Sequence, residues 1–482
     1  MTTGESAGNG NLLLENARSY IATHRRERQV NKVLHGFPSP RLWQDSKVPV
    51  AELLAQRRLE KRLKPRTLQL YVATPYCLQT APERCGYCLF PVEVFKGMGQ
   101  LETYLRYLQL EGAMYRDFFE GTEVSSIYFG GGTSNLYKAD QYPGLLEIIR
   151  RVLPRLNPNI PITLEGIPQL FTREKLLRMK EAGVNRISMG AQQLDDDLNK
   201  LSGRRQKPQH VFQAIEWCQE LGLECNVDLI FGWPRQTFDL MLQGIEQLVQ
   251  TGIHHITHYE LNVGGPSDFA LNRRDELPSV EENLRMYHAS KQYLESQGFR
   301  QLTPYDFEKP AASASGPLYQ ESLQGFDGMD GWGWGYAGVS GFPGSRKSPG
   351  WMYLNHRNVS DYFSALDRGQ FPIERGFHFD EPDLRLAILF RNLQAMEADA
   401  EDYRATFQVD LFEEHKPIWQ ALAEVGWVEV TTAKIRLVGD GVFYTPLIQT
   451  LLGSRRTETL MTSLSPVTHL APATSLVSMT GV

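Results

Sequence analysis

The chain has 482 residues, of which 41% are hydrophobic and 22% charged, and carries a net charge of −6. That is a globular composition, long enough for one large domain with smaller attachments, and it excludes a disordered or low-complexity protein. No apolar run reaches the ~18 residues of a membrane-spanning helix, and the first residues, MTTGESAGNGN, lack the apolar core of a secretory signal. A cytoplasmic location, where thiols stay reduced, is therefore expected.

Residues 12–34 and 50–64 read as helices, broken between them by Pro38 and Pro40 in GFPSPRLW. The segment 17–66 holds 13 Lys or Arg against four acids, a local charge of +9 in a chain whose remainder is −15. Such a segment can attract an anionic partner or serve as a solvated helical face. Nothing else suggests a nucleic-acid partner.

From about residue 68 strands and helices alternate. The expected strands are LQLYV, then 125–130, 161–166, 185–190, 224–232 and 254–261, with helices near 101–119, 139–153, 172–182, 208–221 and 238–251. Six strands separated by helices imply an α/β fold with a parallel sheet, most simply an open or closed β/α barrel. A further helix follows at 280–297, then a stretch rich in Gly and Trp. Helices at 358–368, 383–394 and 411–424 come next, then a hairpin and closing helix reminiscent of a winged-helix unit. The expected organisation is thus a basic helical extension (1–66), a barrel core (67–310), a mostly helical C-terminal domain (311–452) and a disordered tail (453–482).

The chemistry concentrates in YVATPYCLQTAPERCGYCLF, residues 71–90, where Cys77, Cys85 and Cys88 lie on the loop after the first strand. Three clustered thiolates are soft ligands for zinc or an iron–sulfur cluster. A structural zinc site takes four protein ligands, whereas the other cysteines, Cys218 and Cys225, come more than a hundred residues later. Three thiolates on a cubane would leave one iron open to a substrate or cofactor. Directly after the second strand, SIYFGGGTSN supplies glycines that let backbone approach a ligand. Its spacing is not that of a dinucleotide or Walker loop. His254 and His258 would share a strand face, without a third ligand nearby. Trp332, Trp334 and Tyr336 could stack on a flat substrate or pack a junction.

Taken in order, PYC…CGYC, YFGGGTSN, LEGIP, VNRISMGAQQLDDDLNKLSGR, NVDLIFGWPRQT and GWGWGYAGVS resemble the radical S-adenosylmethionine (SAM) enzymes. The group resembled includes oxygen-independent coproporphyrinogen oxidases, their haem-chaperone relatives and related radical methyltransferases. The resemblance runs from about residue 68 to 450. It implies that Cys77, Cys85 and Cys88 hold a 4Fe–4S cluster, and that Gly131, Gly132 and Thr133 lie against SAM. By the same resemblance Glu165 would take the ammonium of SAM, Gln192 and Asp228 the ribose hydroxyls, and Arg204 the carboxylate. An electron donor such as flavodoxin or ferredoxin is implied as partner, together with a conjugated or aromatic small-molecule substrate.

The departures bear on the reaction. Seven residues separate Cys77 from Cys85, more than is usual in the group. Ala73 stands where the oxidases and chaperones have a histidine, Phe90 where the oxidases have a further cysteine, and no His-Asn haem signature precedes the Gly-rich stretch. By elimination, methyl transfer or cyclopropanation with two SAM molecules leads. Oxidative decarboxylation of a coproporphyrinogen-like tetrapyrrole is the alternative, and a haem-binding chaperone the second alternative.

Overall fold

The structure is a computed structural model describing residues 3–29, 36–43, 47–60, 67–119, 121–310 and 330–463. Its centre is a twelve-stranded sheet, the middle of which is parallel. Strand β1 (Thr67–Thr74) is followed by a two-residue ladder, β2 (Tyr76–Cys77) with β3 (Glu93–Val94). Then come β4 (Glu123–Gly131), β5 (Ile162–Gly166), β6 (Arg186–Gln192), β7 (Glu224–Phe231) and β8 (His255–Glu260). Strands β9 (Arg300–Gln301) and β10 (Asp306–Glu308) close one edge antiparallel. The other edge is β11 (Asp330–Trp334), β12 (Val339–Ser345), β13 (Ser348–Asn355) and β14 (Ile373–His378). The order is β14-β13-β12-β11-β1-β4-β5-β6-β7-β8-β10-β9.

Helices α1 (Thr3–His24) and α2 (Val50–Glu60) precede the sheet. The crossovers are α3 (Met98–Phe119), α4 (Tyr142–Val152), α5 (Arg173–Ala182), α6 (Asp196–Leu201) with α7 (Pro208–Leu221), and α8 (Phe238–Gln250). Local chemistry sets their ends: Thr172, Asp195 and Thr237 cap α5, α6 and α8, while Gly183 and Gly222 end α5 and α7 in the left-handed region. After α9 (Asp268–Asn272) and α10 (Val280–Ser296), the chain continues through α11 (Val359–Asp367) and α12 (Glu381–Gln394).

Alternation along the strands separates two environments. Leu68, Leu70, Val72, Ile127, Phe129, Ile162, Leu164, Ile187, Met189, Val227 and Ile256 face the helices and are buried in one continuous core. Each such burial contributes roughly 1.5–3 kcal/mol. The alternate positions are polar: Tyr71, Tyr128, Thr163, Glu165, Arg186, Ser188, Asn226, Asp228, His255 and Thr257. They interact across the concave side of the sheet, which is therefore a partial barrel with a polar interior.

Three sequence expectations change. The strand–helix core does not end near 310, because β11 adds a seventh parallel strand beside β1 and β12–β14 extend the sheet antiparallel. Second, of the two readings open for Trp332 and Trp334, stacking on a substrate gives way to packing. The two side chains stack on each other at 4.6 Å, are almost wholly buried, and the Trp334 indole donates to the Leu108 carbonyl of α3. Tyr336 is buried as well, with its hydroxyl donating to the Arg357 carbonyl. Third, the last helix, Thr445–Ser463, runs on past Gly453, where disorder was expected; the tail beyond it lies outside the described residues. The C-terminal part is largely helical, with a small sheet of Glu397–Asp399, Val428–Val430 and Lys434–Leu437 containing the expected hairpin. No described helix is long and apolar enough to cross a membrane.

A buried carboxylate fastens β11 to α3. Glu111, fully buried in mid-helix, accepts from Tyr362 Oη at 2.6 Å, Asn355 Nδ2 at 2.9 Å and the Gly335 N–H at 2.9 Å. Burial, set against those three donors, pushes its pKa up to about 7. The Tyr104 hydroxyl extends the link, receiving the Tyr336 N–H and donating to the Ala73 carbonyl at the end of β1.

Candidate active site

The C-terminal ends of the parallel strands gather the residues singled out above, as expected for β/α architecture. In register, Thr74 of β1 faces Gly131 of β4, and Asp228 of β7 lies between Gly190 of β6 and Thr257 of β8.

The cysteine loop crosses this end of the barrel. After Tyr76 and Cys77, the Gly132 and Thr133 N–H groups donate to the Thr74 and Tyr76 carbonyls at 2.6 and 2.8 Å. The glycine turn is thus stitched to the cysteine loop. It must be glycine: a Cβ at Gly132 would lie 2.5 Å from the Tyr76 carbonyl oxygen, and one at Gly130 would lie 2.6 Å from the Tyr71 hydroxyl. Further along, Arg84 and Cys85 both adopt left-handed backbone, φ 52° and 58°. For residues other than glycine that costs about 1–2 kcal/mol each. Thr80 braces the turn, its hydroxyl accepting from the Cys85 N–H at 2.9 Å and donating to the Pro82 carbonyl at 2.8 Å. Gly203, φ 69°, seats the loop, since a Cβ there would strike the Ala81 backbone. Tyr87 packs against Trp233 and Phe269, beyond β7 and β8.

All three loop cysteines are half-buried and free of disulfides. Burial pushes Cys77 up to about 11 and Cys88 up to about 12; repulsion from neighbouring loop cysteines adds to both. Loading a metal here must therefore displace thiol protons. The Thr133 hydroxyl donates to Cys77 Sγ at 3.4 Å, and Arg204 Nη1 lies 4.0 Å from Cys85 Sγ. Among the described residues no three His, Cys, Asp or Glu side chains gather closely enough to hold one metal ion. The loop's donor set fits a polynuclear cluster, whose ligands attach to different irons and stand farther apart than ligands of a single ion. Cys218, by contrast, is wholly buried beside Cys225 in another part of the core.

Beneath the loop lie the charged candidates. Glu165 is partly buried; desolvation and the Asp228 charge push its pKa up to about 8, against a Tyr128 hydrogen bond and the Arg204 charge. Burial likewise pushes Asp228 up to about 6, although its Oδ1 accepts from Asn226 Nδ2 at 2.7 Å and its Oδ2 from the Ser188 hydroxyl at 3.4 Å. Arg204 donates to the Gly190 carbonyl and, at 3.0 Å from Nε, to Gln206 Oε1. The structure therefore brings Glu165, Asp228 and Arg204 into one electrostatic neighbourhood with the cysteines. Gln192, φ 67° at the end of β6, instead helps line a cavity of about 80 Å³ with Gln193, Gln236 and His258.

The sequence reading missed the polar floor of the site. Tyr71 stacks on Tyr128 at 5.7 Å, and both flank Glu165. Below them the Thr257 hydroxyl meets Asn226 Oδ1 at 3.1 Å and Asp306 Oδ1 at 2.8 Å, and Asp306 also pairs with His255 at 3.3 Å. The signal was present as strict alternation of polar residues in β4–β8, which were read only as apolar runs. His254 lies outside β8 and His258 is buried, so the two share no site.

Residues 74–266 match the radical SAM superfamily, and with this fold and cysteine loop the chain carries a radical SAM domain. It is a radical SAM enzyme whose cofactors are a 4Fe–4S cluster and SAM. Among curated proteins it is similar to the oxygen-independent coproporphyrinogen III oxidase of Pseudomonas aeruginosa, 27% identical over 415 residues, spanning 82% of this chain and 86% of that one. It is also similar to the haem chaperone HemW of Escherichia coli, 30% identical over 244 residues, 50% of this chain and 63% of that one. In fold it resembles the solved coproporphyrinogen III oxidase (HemN) of Escherichia coli, with a TM-score of 0.75, 22% identity, and coverage of 88% of this chain and 98% of that one.

Proposed function

We propose that the chain is a radical SAM oxidative decarboxylase of the coproporphyrinogen III oxidase type, acting on propionate side chains of a tetrapyrrole-like substrate. One observation carries this reading. The similarity to the Pseudomonas aeruginosa oxidase spans 82% of the chain, whereas that to the Escherichia coli chaperone spans 50%. Methyl transfer, which led on sequence, gives way. It rested on absent side chains at Ala73 and Phe90 rather than on any residue marking a methyl acceptor, and the similar proteins named above are oxidases and a chaperone.

In this reading Cys77, Cys85 and Cys88 hold the cluster, and Gly131, Gly132 and Thr133 lie against SAM. Glu165 takes the SAM ammonium, Arg204 its carboxylate, and Asp228 with Gln192 the ribose. When bound, cluster and SAM supply a carbon-centred radical that takes a hydrogen atom from an unactivated carbon. The chain's own part is electrostatic. Tyr71 and Tyr128 flank Glu165 and partly desolvate it, so that an ammonium arriving there meets a carboxyl whose ionised form it would stabilise. Removing one hydrogen atom and carbon dioxide from a propionate leaves a vinyl group and one surplus electron for an acceptor.

The test is anaerobic incubation of reconstituted, reduced protein with SAM and coproporphyrinogen. Vinyl-bearing product, carbon dioxide and 5′-deoxyadenosine are expected, with no label from methyl-labelled SAM in the product. Labelled product together with S-adenosylhomocysteine would overturn the reading in favour of carbon transfer. Tight haem binding without turnover would overturn it in favour of a carrier. Cys77→Ala, Cys85→Ala and Cys88→Ala should each lose the iron that Cys218→Ala keeps.

A further inference from the structure

The seven-residue spacer between Cys77 and Cys85 is a built element. Leu78 packs into the core, Thr80 closes the turn on itself, and Ala81 rests on Gly203 beyond β6. The left-handed pair Arg84–Cys85 then reverses the chain, presenting Cys85 to the loop interior and leaving Arg84 exposed beside it.

Arg84 stands at the rim where the barrel mouth meets the C-terminal part. Its backbone carbonyl accepts the Cys88 N–H at 3.1 Å, and its charge is felt by both Cys88 and Tyr336. The carboxylates that share this rim are already engaged. Glu374 is held by Arg357 at 2.6 Å and by Arg375 at 2.8 Å, and Glu93 accepts the Val359 N–H at 3.3 Å. Among the described residues no acid pairs with Arg84 itself, and Glu83 beside it is exposed. A strained, braced loop thus holds an exposed, unneutralised guanidinium whose charge reaches Cys88. That geometry suits an anion arriving from solvent, for which a guanidinium is the matching fork.

We propose that Arg84 receives a carboxylate of the substrate and so fixes how the substrate lies beside the cluster. This rests on the decarboxylase reading, in which the substrate carries several carboxylates. One propionate held at Arg84 would leave another free to approach the reacting centre.

The experiment measures binding of coproporphyrin, a tetracarboxylate probe, to the anaerobically reconstituted full chain as a function of salt. Arg84→Gln should weaken binding about tenfold, as expected for losing a charged hydrogen bond, and should flatten the salt dependence. Arg84→Lys should fall between, keeping charge without the fork, and Glu83→Gln should bind as the parent does. Unchanged affinity and salt dependence in Arg84→Gln, at full iron content, overturns the inference. Loss of iron in both Arg84→Gln and Arg84→Lys would assign the residue to building the loop and also overturns it. Failure of the parent to bind coproporphyrin removes the decarboxylase reading and this inference with it. Binding by the parent that is untouched in Arg84→Gln removes the inference alone.

Discussion

Glu165 shows how one partly buried carboxyl can make cofactor binding depend on pH. Its pKa of about 8 means that near neutrality the group is mostly protonated before an ammonium reaches it. The associated folding stability is fully present below the ordinary carboxyl range and is lost as pH rises through about 8. If the SAM ammonium pairs with Glu165, binding must expel that proton. Apparent SAM affinity should then rise towards pH 8, by up to about tenfold per unit. Calorimetry in buffers of different ionisation enthalpy should record proton release, and Glu165→Gln should abolish both effects without changing iron content. A flat affinity profile in the parent would remove Glu165 from the SAM site. At this scale the sequence was legible wherever a residue belonged to a motif. Glu165, Asp228 and Arg204 were found by resemblance and do share one field. Asn226, Thr257 and Asp306 were not found, because their significance lies in facing one another across strands, and a strand read alone shows only its own side chains.

Among elements, the six barrel strands were readable because each is a short apolar-rich run ended by turn residues. Strands β11–β14 were not. GWGWGYAGVSGFPGS looks like loop in composition, and its Gly and Pro become strand only because β1 offers β11 a parallel edge from more than two hundred residues away. The cysteine loop is legible in its ligands and opaque in its seating, since nothing local says that Ala81 will rest on Gly203. That seating can be isolated with two glycines of similar backbone. Gly203 (φ 69°) has the Ala81 backbone where a Cβ would go, whereas Gly222 (φ 63°), at the end of α7, has only Lys180 Nζ at 3.9 Å. Gly222→Ala should cost roughly 1 kcal/mol in denaturant unfolding, the left-handed penalty alone. Gly203→Ala should in addition displace the loop, seen as reduced iron loading and faster proteolysis within 78–84. Equal behaviour of the two variants would show that the loop does not depend on this seat.

At the scale of the whole molecule, some of the described cations of the basic N-terminal extension fasten it to the rest of the chain. Arg57 forms an ion pair with Asp330 at the start of β11, with only 7% and 13% of the two side chains exposed. Arg18 pairs with Glu424 at 2.6 Å, and the Tyr444 hydroxyl donates to the Arg25 carbonyl at 2.9 Å. Removing one partner of a buried pair strands the other charge, whereas an exposed pair contributes little. Arg57→Ala should therefore lower unfolding stability by about 3 kcal/mol and Arg18→Ala by less than about 1 kcal/mol, read from denaturant midpoints. Similar midpoints for the two variants would mean that the extension is not anchored through Arg57.

The same fastening sets an order of events during synthesis. Contacts such as Arg18 with Glu424 and Gln29 with Phe443 join positions 406 and 414 residues apart, so the first helix leaves the ribosome long before the surface it rests on exists. Until the final helices emerge, the first helix, with its buried Ala17 and Ile21, lacks the helices Lys416–Glu424 and Thr445–Ser463 that it packs against. The barrel can assemble on the nascent chain, but closure of the molecule waits for the last helices and carries the entropy cost of a loop of this length.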